Sequence, residues 1–185
     1  MNIRSAVLEG INILKARSIL TAQLDAEILM AKSLDTNREY IILNNDKNLE
    51  DKDLKNFLSL IKKRASRKPI AYLVNKKYFW KNEFYVNKNT LIPRPDTELI
   101  VEQVLNLTKN KNKYSILDIG VGSGCILLSI LKERKNFYGT GIDICKNSLN
   151  ICKMNAKKLL LERRIKLYKS DVDKFAQGKY DLIVS

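Results

Sequence analysis

The stretch ILDIGVGSG at residues 116–124 decides the fold. An apolar strand runs into three glycines, Gly120, Gly122 and Gly124, and a helical pattern starts directly afterwards at Cys125. Glycines lack a Cβ atom, so they permit a tight turn and allow backbone N–H groups at the helix N-terminus to approach a polar ligand. The pattern predicts a ligand-binding loop at the carboxyl end of a strand, with a tight turn that binds nothing as the alternative.

The spacing of the glycines narrows the class of ligand. A dinucleotide fingerprint requires G-x-G-x-x-G, whereas Cys125 occupies the sixth position here. Gly124 instead completes the pattern G-x-G-x-G behind the acidic residue Asp118. The loop therefore differs from a dinucleotide-binding loop.

Helices and strands alternate from Pro95 to the end of the chain. Alternation of this kind is typical of parallel strands joined by helical crossovers, which predicts a doubly wound α/β core. The apolar patterns predict helices over 95–107, 125–134 and 146–161, and strands over 115–119, 138–143, 165–169 and 181–184.

Three aspartates accompany the ends of successive predicted strands. Asp118 precedes the glycines, Asp143 ends the next strand and Asp171 follows the third. Ligands of such sheets bind at the carboxyl edge of the strands, so the three carboxylates are expected to converge on one crevice. Asp143 stands about where a carboxylate accepts hydrogen bonds from ribose hydroxyls, whereas Asp171 also fits an ordinary loop residue.

The chain before the α/β core has a different periodicity. Up to residue 67, apolar residues recur at three- and four-residue spacing, which predicts several short helices packed as a small bundle. Pro69 ends this pattern. Two short aromatic strands follow, over 78–80 and 83–86, with a polar turn at 81–82 between them, and they predict a β-hairpin. The resulting domains are a bundle over 1–67, a hairpin connector over 68–94 and the α/β part over 95–185.

Composition excludes several classes of protein. The 185 residues are 45% hydrophobic and contain no histidine, so the usual general base and the commonest metal ligand are missing and no metal is expected. Cys125, Cys145 and Cys152 form no C-x-x-C pair and are expected to be reduced thiols. The chain has neither a signal-peptide pattern nor an apolar run of about 18 residues, which favours a cytoplasmic protein without membrane contact.

The formal net charge of +14 would suit a nucleic-acid or other phosphate-bearing partner. Lysines are spread along the whole chain, however, and a solvated Lys-rich surface explains such a spread at least as well.

The glycine loop with Asp118, Asp143 and Asp171 resembles that of class I methyltransferases. Other segments narrow the resemblance to the HemK/PrmC family, and the helix with Asp25-Ala26-Glu27 fits the N-terminal domain of that family. The resemblance covers essentially the whole chain, and residues 92–99 are its most specific piece. The segments that carry it are RKPIAYL at 67–73, Phe79-Trp80 and LIPRPDTEL at 91–99.

This resemblance implies a Rossmann-like class I methyltransferase domain with an incomplete sheet, preceded by a helical bundle for substrate recognition and a β-hairpin connector. It implies S-adenosyl-L-methionine as cofactor and peptide chain release factors as partners. The implied reaction is methyl transfer to the side-chain amide nitrogen of the glutamine in their Gly-Gly-Gln motif. Nucleic acid would be met only through the release factor or the ribosome.

The resemblance also assigns roles to individual residues. Asp143 would bind the ribose, and Asp171 with Val172 would lie beside the adenine. Many relatives carry an aromatic residue in place of Val172, so aliphatic contact would replace stacking there. The remaining implied cofactor contacts are Asp118, Gly120, Val121, Gly122, Ser123 and Gly124.

Three residues are candidates for the substrate site. Phe79 and Trp80 fit either a docking surface for the release factor or ordinary core packing. Arg94 lies between two prolines, in an extended loop near the expected mouth of the active site.

The strand at the end of the chain, residues 180–185, is similar to the family strand that leads into Asn-Pro-Pro-Tyr. In that family the Asn side chain and the adjacent proline carbonyl hold the glutamine amide. No catalytic residue is therefore expected within the chain, and the motif is expected immediately after Ser185. Positioning supplies much of the rate for a weak amide nucleophile, so the 185-residue chain is expected to be inactive.

Three alternatives remain open at the level of sequence. They are a glutamine methyltransferase of a ribosomal protein, an amino-methyltransferase acting on nucleic acid, and a non-catalytic module that binds a cofactor or RNA. The pattern at residues 93–98 favours the release-factor branch over the first, and the bundle with its hairpin argues against the second.

Overall fold

The first 74 residues form a helical unit in the structure, a computed structural model that describes residues 1–185. Apolar stripes of its helices meet in one core, in which Leu14, Met30 and Phe57 are fully buried. The predicted helical bundle is confirmed. Its helices are α1 Ile3–Lys15, α2 Ala22–Ser33, α3 Arg38–Leu43, α4 Asp51–Ala65 and α5 Ile70–Val74.

Two buried carboxylates on α2 hold the neighbouring helices. Asp25 accepts a hydrogen bond from Arg64 Nε of α4 at 2.7 Å, and also one from the Thr21 hydroxyl. Glu27 accepts a hydrogen bond from Arg38 Nε of α3 at 2.6 Å. Charged groups are tolerated inside a protein when they are paired, so these contacts orient α3 and α4 on α2.

The helical unit ends at Val74, beyond the boundary at residue 67 that the sequence suggests. Pro69 does end one helical pattern, but it also stands directly before Ile70, the first residue of α5. The fixed φ of proline and its missing N–H cost nothing at the start of a helix. Helix α5 then packs against α2 and α4. The assignment of separate functions to residues 1–67 and 68–94 stays a prediction.

Residues 75–185 form the second unit, an α/β domain. It begins with an antiparallel hairpin of β1 Lys76–Phe79 and β2 Asn82–Tyr85. The elements that follow are α6 Glu98–Leu107, β3 Ser115–Ile119, α7 Cys125–Glu133, β4 Tyr138–Asp143, α8 Lys146–Lys158, β5 Ile165–Lys169 and β6 Leu182–Val184.

The main sheet has four parallel strands in the order β5-β4-β3-β6. From β3 the chain passes outward through α7 to β4 and through α8 to β5, and then returns to place β6 on the other side of β3. The strand order therefore reverses at β3, which is where open parallel sheets bind ligands. The predicted Rossmann-like fold is confirmed, and the glycine loop follows the strand at the reversal.

The hairpin is shifted relative to the sequence prediction. Trp80 was expected in a strand, but it lies in the turn with a φ of +54°. Its backbone N–H donates to Glu98 Oε1 at 2.7 Å, and its indole Nε1 donates to Glu133 Oε1 at 2.9 Å. Lys81 adds an ion pair with the Glu133 carboxylate at 2.8 Å. These contacts with α6 and α7 hold the turn in a conformation that local sequence does not favour.

The core of the second unit includes the hairpin. Phe79 and Phe84 are fully buried and meet edge to face, with ring centroids 6.2 Å apart. They belong to the same apolar cluster as Leu127, Leu128 and Phe137. None of the helices in either unit has the length and apolarity needed to cross a membrane.

Candidate functional site

The glycine loop is tied to the neighbouring strand where β3 ends. The N–H groups of Gly120 and Val121 both donate to the carbonyl oxygen of Ile142 in β4, each at 2.9 Å. The N–H of Gly124 donates to the carbonyl of Val121 at 2.7 Å and closes the turn. These N–H groups are thus already hydrogen-bonded within the protein. The loop therefore allows a ligand to approach the backbone closely but does not offer it these donors.

The three glycines all have positive φ, but they face different surroundings. Gly120, at +74°, has no neighbouring atom within 4 Å of where a Cβ would stand, and at Gly122, at +54°, a Cβ would meet only the Gly120 carbonyl oxygen, at 3.7 Å. At Gly124, with a φ of +80°, a Cβ would stand 2.6 Å from Cys152 Sγ and 2.8 Å from Leu128 Cδ1. Gly120 and Gly122 therefore form an open backbone surface, whereas Gly124 lets α7 pack closely on α8.

The Asp143 carboxylate is fixed beside this open surface. Its Oδ2 accepts the N–H of Gly122 at 3.0 Å, and its Oδ1 accepts the N–H of Cys145 at 2.8 Å. A carboxylate oxygen accepts more than one hydrogen bond, so both oxygens keep capacity for a ligand. The structure thus brings together the loop and the aspartate that the sequence singled out, and it links them by a direct hydrogen bond.

Asp118 lies below the loop and is 2% exposed. Burial raises the pKa of its carboxyl to about 7, with a contribution from the negative charge of Asp143, and the backbone N–H of Leu127 opposes the shift. Both protonation states are therefore populated near neutral pH. Because its side chain is buried, Asp118 does not face solvent, and the cofactor contact implied for it stays a prediction.

Asp171 and Val172 lie at the same edge of the sheet, after β5. The N–H of Ser170 donates to the carbonyl of Asp143 at 3.2 Å, so the ends of β4 and β5 adjoin. Both candidate residues are exposed, and Val172 begins a short 3-10 helix over Val172–Lys174. The adenine contact predicted for them stays a prediction.

The structure separates the three candidate substrate residues. Phe79 is 1% exposed and packs in the core against Phe84, which agrees with the core-packing interpretation of the hairpin aromatics and leaves it no surface for docking. Trp80 is half-buried and held by two glutamates, and Arg94 is exposed before the short 3-10 helix Pro95–Thr97. A role in substrate binding stays a prediction for Trp80 and Arg94.

Two residues of α8 that sequence analysis missed form hydrogen bonds with the segments around the site. Asn155 is 1% exposed and bonds both the hairpin and the glycine loop, and the hydroxyl of Ser148 donates to the carbonyl of Asn89 at 2.7 Å. A signal was present, because both polar residues fall on the apolar stripe of α8 beside Leu149, Cys152 and Ala156. A polar residue at a core position of a helix indicates a buried partner.

A parallel sheet, a glycine loop at the reversal of strand order and an aspartate bonded to that loop define a Rossmann-like cofactor-binding domain. Comparison with known families narrows this class. Residues 86–185 match the family described as a methyltransferase domain, and residues 5–74 match the PrmC N-terminal domain. The chain belongs to the PrmC/HemK family of S-adenosylmethionine-dependent methyltransferases.

The curated relatives that the chain resembles are release factor glutamine methyltransferases. That of Shewanella oneidensis is 37% identical over 92% of this chain and 59% of its own length. The Clostridium botulinum protein is 36% identical over 100% of this chain and 66% of its own length, and one from Buchnera aphidicola subsp. Baizongia pistaciae is 40% identical over 88% and 58%. The chain thus spans about three fifths of the length of these relatives.

The crowded glycine, Gly124, and the open one, Gly120, give a first test of the loop. We expect Gly124→Ala to lower the free energy of unfolding by about 2 to 4 kcal/mol, because a left-handed backbone penalty adds to the overlap with Cys152 and Leu128. Gly120→Ala should cost only about 1 to 2 kcal/mol, because its positive φ is penalised but its surroundings are open. Urea unfolding of both variants measures the difference. Equal losses would show that the side chains around Gly124 give way.

The raised pKa of Asp118 gives a second test. In the unfolded chain the carboxyl ionises near its ordinary pKa, whereas in the folded protein its pKa is about 7. The contribution of Asp118 to folding stability is therefore fully present below the ordinary pKa and is lost as pH rises through 7. Asp118→Asn removes this dependence. Between pH 5 and pH 8 the wild type should lose about 2 to 3 kcal/mol relative to the variant in urea unfolding. If the free energies of unfolding of the two proteins changed equally with pH, the pKa of Asp118 would not be raised in the folded protein.

Proposed function

We propose that the chain binds S-adenosyl-L-methionine at the glycine loop, with Asp143 as the ribose contact and Asp171 and Val172 beside the adenine. The observation that carries this proposal is the open backbone of Gly120 and Gly122, next to a carboxylate that is held in place by the N–H of Gly122. A bulky ligand is able to reach the backbone there because no side chain intervenes. The fit is chemical as well as steric, since ribose hydroxyls donate to carboxylates.

We further propose that the reaction is methylation of the glutamine side chain in the Gly-Gly-Gln motif of a release factor. The support is the name shared by relatives that are 35–40% identical, together with the match to the N-terminal domain of this family. S-adenosylmethionine would supply an electrophilic methyl group on a sulfonium centre. The residues of this chain would bind and orient that group, and Asp143 would hold the loop through the N–H of Gly122.

The helical unit is the proposed recognition element for the protein substrate. It contains no glycine loop, and its buried carboxylates Asp25 and Glu27 are used in ion pairs within the bundle. Trp80 and Arg94 are further proposed contacts, on the second unit.

Removing residues 1–74 from an active chain should then raise the KM for the release factor and leave cofactor affinity unchanged.

Cofactor binding is tested with Asp143→Ala and the product analogue S-adenosylhomocysteine. Losing a hydrogen bond to a charged group costs about 1.5 to 3 kcal/mol, which corresponds to a dissociation constant roughly 10 to 150 times larger in calorimetry. The matched control is Asp173→Ala, which removes an exposed carboxylate from the short 3-10 helix after β5 and should leave binding unchanged. Unchanged affinity of a folded Asp143→Ala variant would remove Asp143 from the site.

Activity is tested by transfer of a radiolabelled methyl group to a release factor. We expect no label from the polypeptide 1–185, and label from a chain extended to the length of its relatives. The reason is that a weak amide nucleophile depends on positioning, which contributes several powers of ten in rate, and the resemblance locates the amide-holding residues after Ser185. Label transferred by the 185-residue polypeptide would show that its own residues suffice. An extended chain that methylates another protein or a nucleic acid, but no release factor, would overturn the proposed substrate.

A further inference from the structure

Asn155 makes three hydrogen bonds from a fully buried position on α8. Its Nδ2 donates to the carbonyl of Tyr85 at 3.0 Å and to the carbonyl of Ser123 at 2.9 Å, and its Oδ1 accepts the N–H of Tyr85 at 2.8 Å. The side chain thus pairs with Tyr85 as the backbone of a neighbouring strand would. Its second donor reaches the glycine loop, because Ser123 stands between Gly122 and Gly124.

The bond to Ser123 holds the loop from α8, whereas its other anchors lie at the end of β4. Ile142 and Asp143, at the end of β4, bind the N–H groups of Gly120, Val121 and Gly122. Asn155 binds the one carbonyl between the last two glycines. Glycines have the greatest conformational freedom of all residues, so this part of the loop depends on such contacts for a single conformation.

The bonds to Tyr85 join the same side chain to the hairpin. Two turns earlier on α8, Ser148 binds the carbonyl of Asn89 just after the hairpin. The Glu83 carboxylate of β2 also pairs with Lys158 of α8 at 2.6 Å. Three residues of one helix therefore hold residues 83–89, and of these Asn155 is the one that also touches the glycine loop.

We propose that Asn155 is a positioning residue of the cofactor site, which sets the conformation of the glycine loop and couples it to the hairpin. This inference rests on the proposed cofactor function for its effect on binding. Its structural part, the ordering of the loop by Asn155, applies to the free protein as well.

The test replaces Asn155 with Asp, which has the same shape. The variant still accepts the N–H of Tyr85 but loses both donated bonds, so an oxygen faces the carbonyls of Tyr85 and Ser123. The control is Asn150→Asp, the same substitution at an exposed position of the same helix. Calorimetry with S-adenosylhomocysteine should show at least tenfold weaker binding for Asn155→Asp and no change for Asn150→Asp.

Amide hydrogen exchange without cofactor separates positioning from a general loss of stability. In Asn155→Asp the N–H groups of Gly122 and Gly124 should exchange at least tenfold faster than in the wild type, while those of Leu117 and Thr140 in the central strands keep their rates. Equal acceleration at all four amides, or none, would overturn the proposal. If Asn155→Asp does not fold, Asn155→Ala, which removes the bonds without adding a charge, is measured in the same way.

The outcomes also separate this inference from the proposed function. If the wild type fails to bind S-adenosylhomocysteine, the cofactor assignment is wrong, and exchange at Gly122 and Gly124 still decides whether Asn155 orders the loop. If the wild type binds it and a folded Asn155→Asp variant binds equally well, Asn155 has no positioning role and the cofactor assignment stands.

Discussion

The carbonyl oxygen of Ile142 accepts two successive N–H groups, from Gly120 and Val121, each at 2.9 Å. This shared acceptor ends β3 as a strand, because the chain has to fold over the end of β4 in order to present both N–H groups to one oxygen. The next N–H, that of Gly122, then points to the Asp143 carboxylate. The approach of the loop to Asp143 and the start of α7 at Cys125 both follow from this one arrangement.

The arrangement places a carboxyl group where water does not reach. Asp118 is the last residue but one of β3 and is 2% exposed, and this burial raises the pKa of its carboxyl to about 7. A buried carboxyl of this kind reduces stability at high pH. The backbone of the loop is bonded by Asp143 through the N–H of Gly122 and by Asn155 through the carbonyl of Ser123. Such a loop is held by side chains that are remote in sequence.

The hairpin is part of the α/β unit and not a separate linker. Its two phenylalanines lie in the core, its turn is bound by glutamates of α6 and α7, and its second strand pairs with a side chain of α8. The hydrogen bonds to the two glutamates and to α8 span 18, 53 and 70 residues along the chain. The hairpin and the glycine loop consequently belong to one packed unit, and their shared contacts with α8 are the basis for coupling between them.

The sequence by itself determined the alternation of helices and strands in the α/β unit, the bounds of three of its strands and the chemistry of the loop. Strands 115–119, 138–143 and 165–169 have the predicted bounds, because each is a short segment that follows a helical pattern. The G-x-G-x-G spacing indicated a backbone open to a ligand. Only the tertiary structure decided that Trp80 lies in a turn, that Phe79 is buried and that Asn155 bonds the loop. Their partners Glu98, Glu133, Phe84, Tyr85 and Ser123 lie on other elements, so packing and not local preference set these positions. The same holds for the pKa of Asp118, which depends on burial by residues that local sequence does not bring near it.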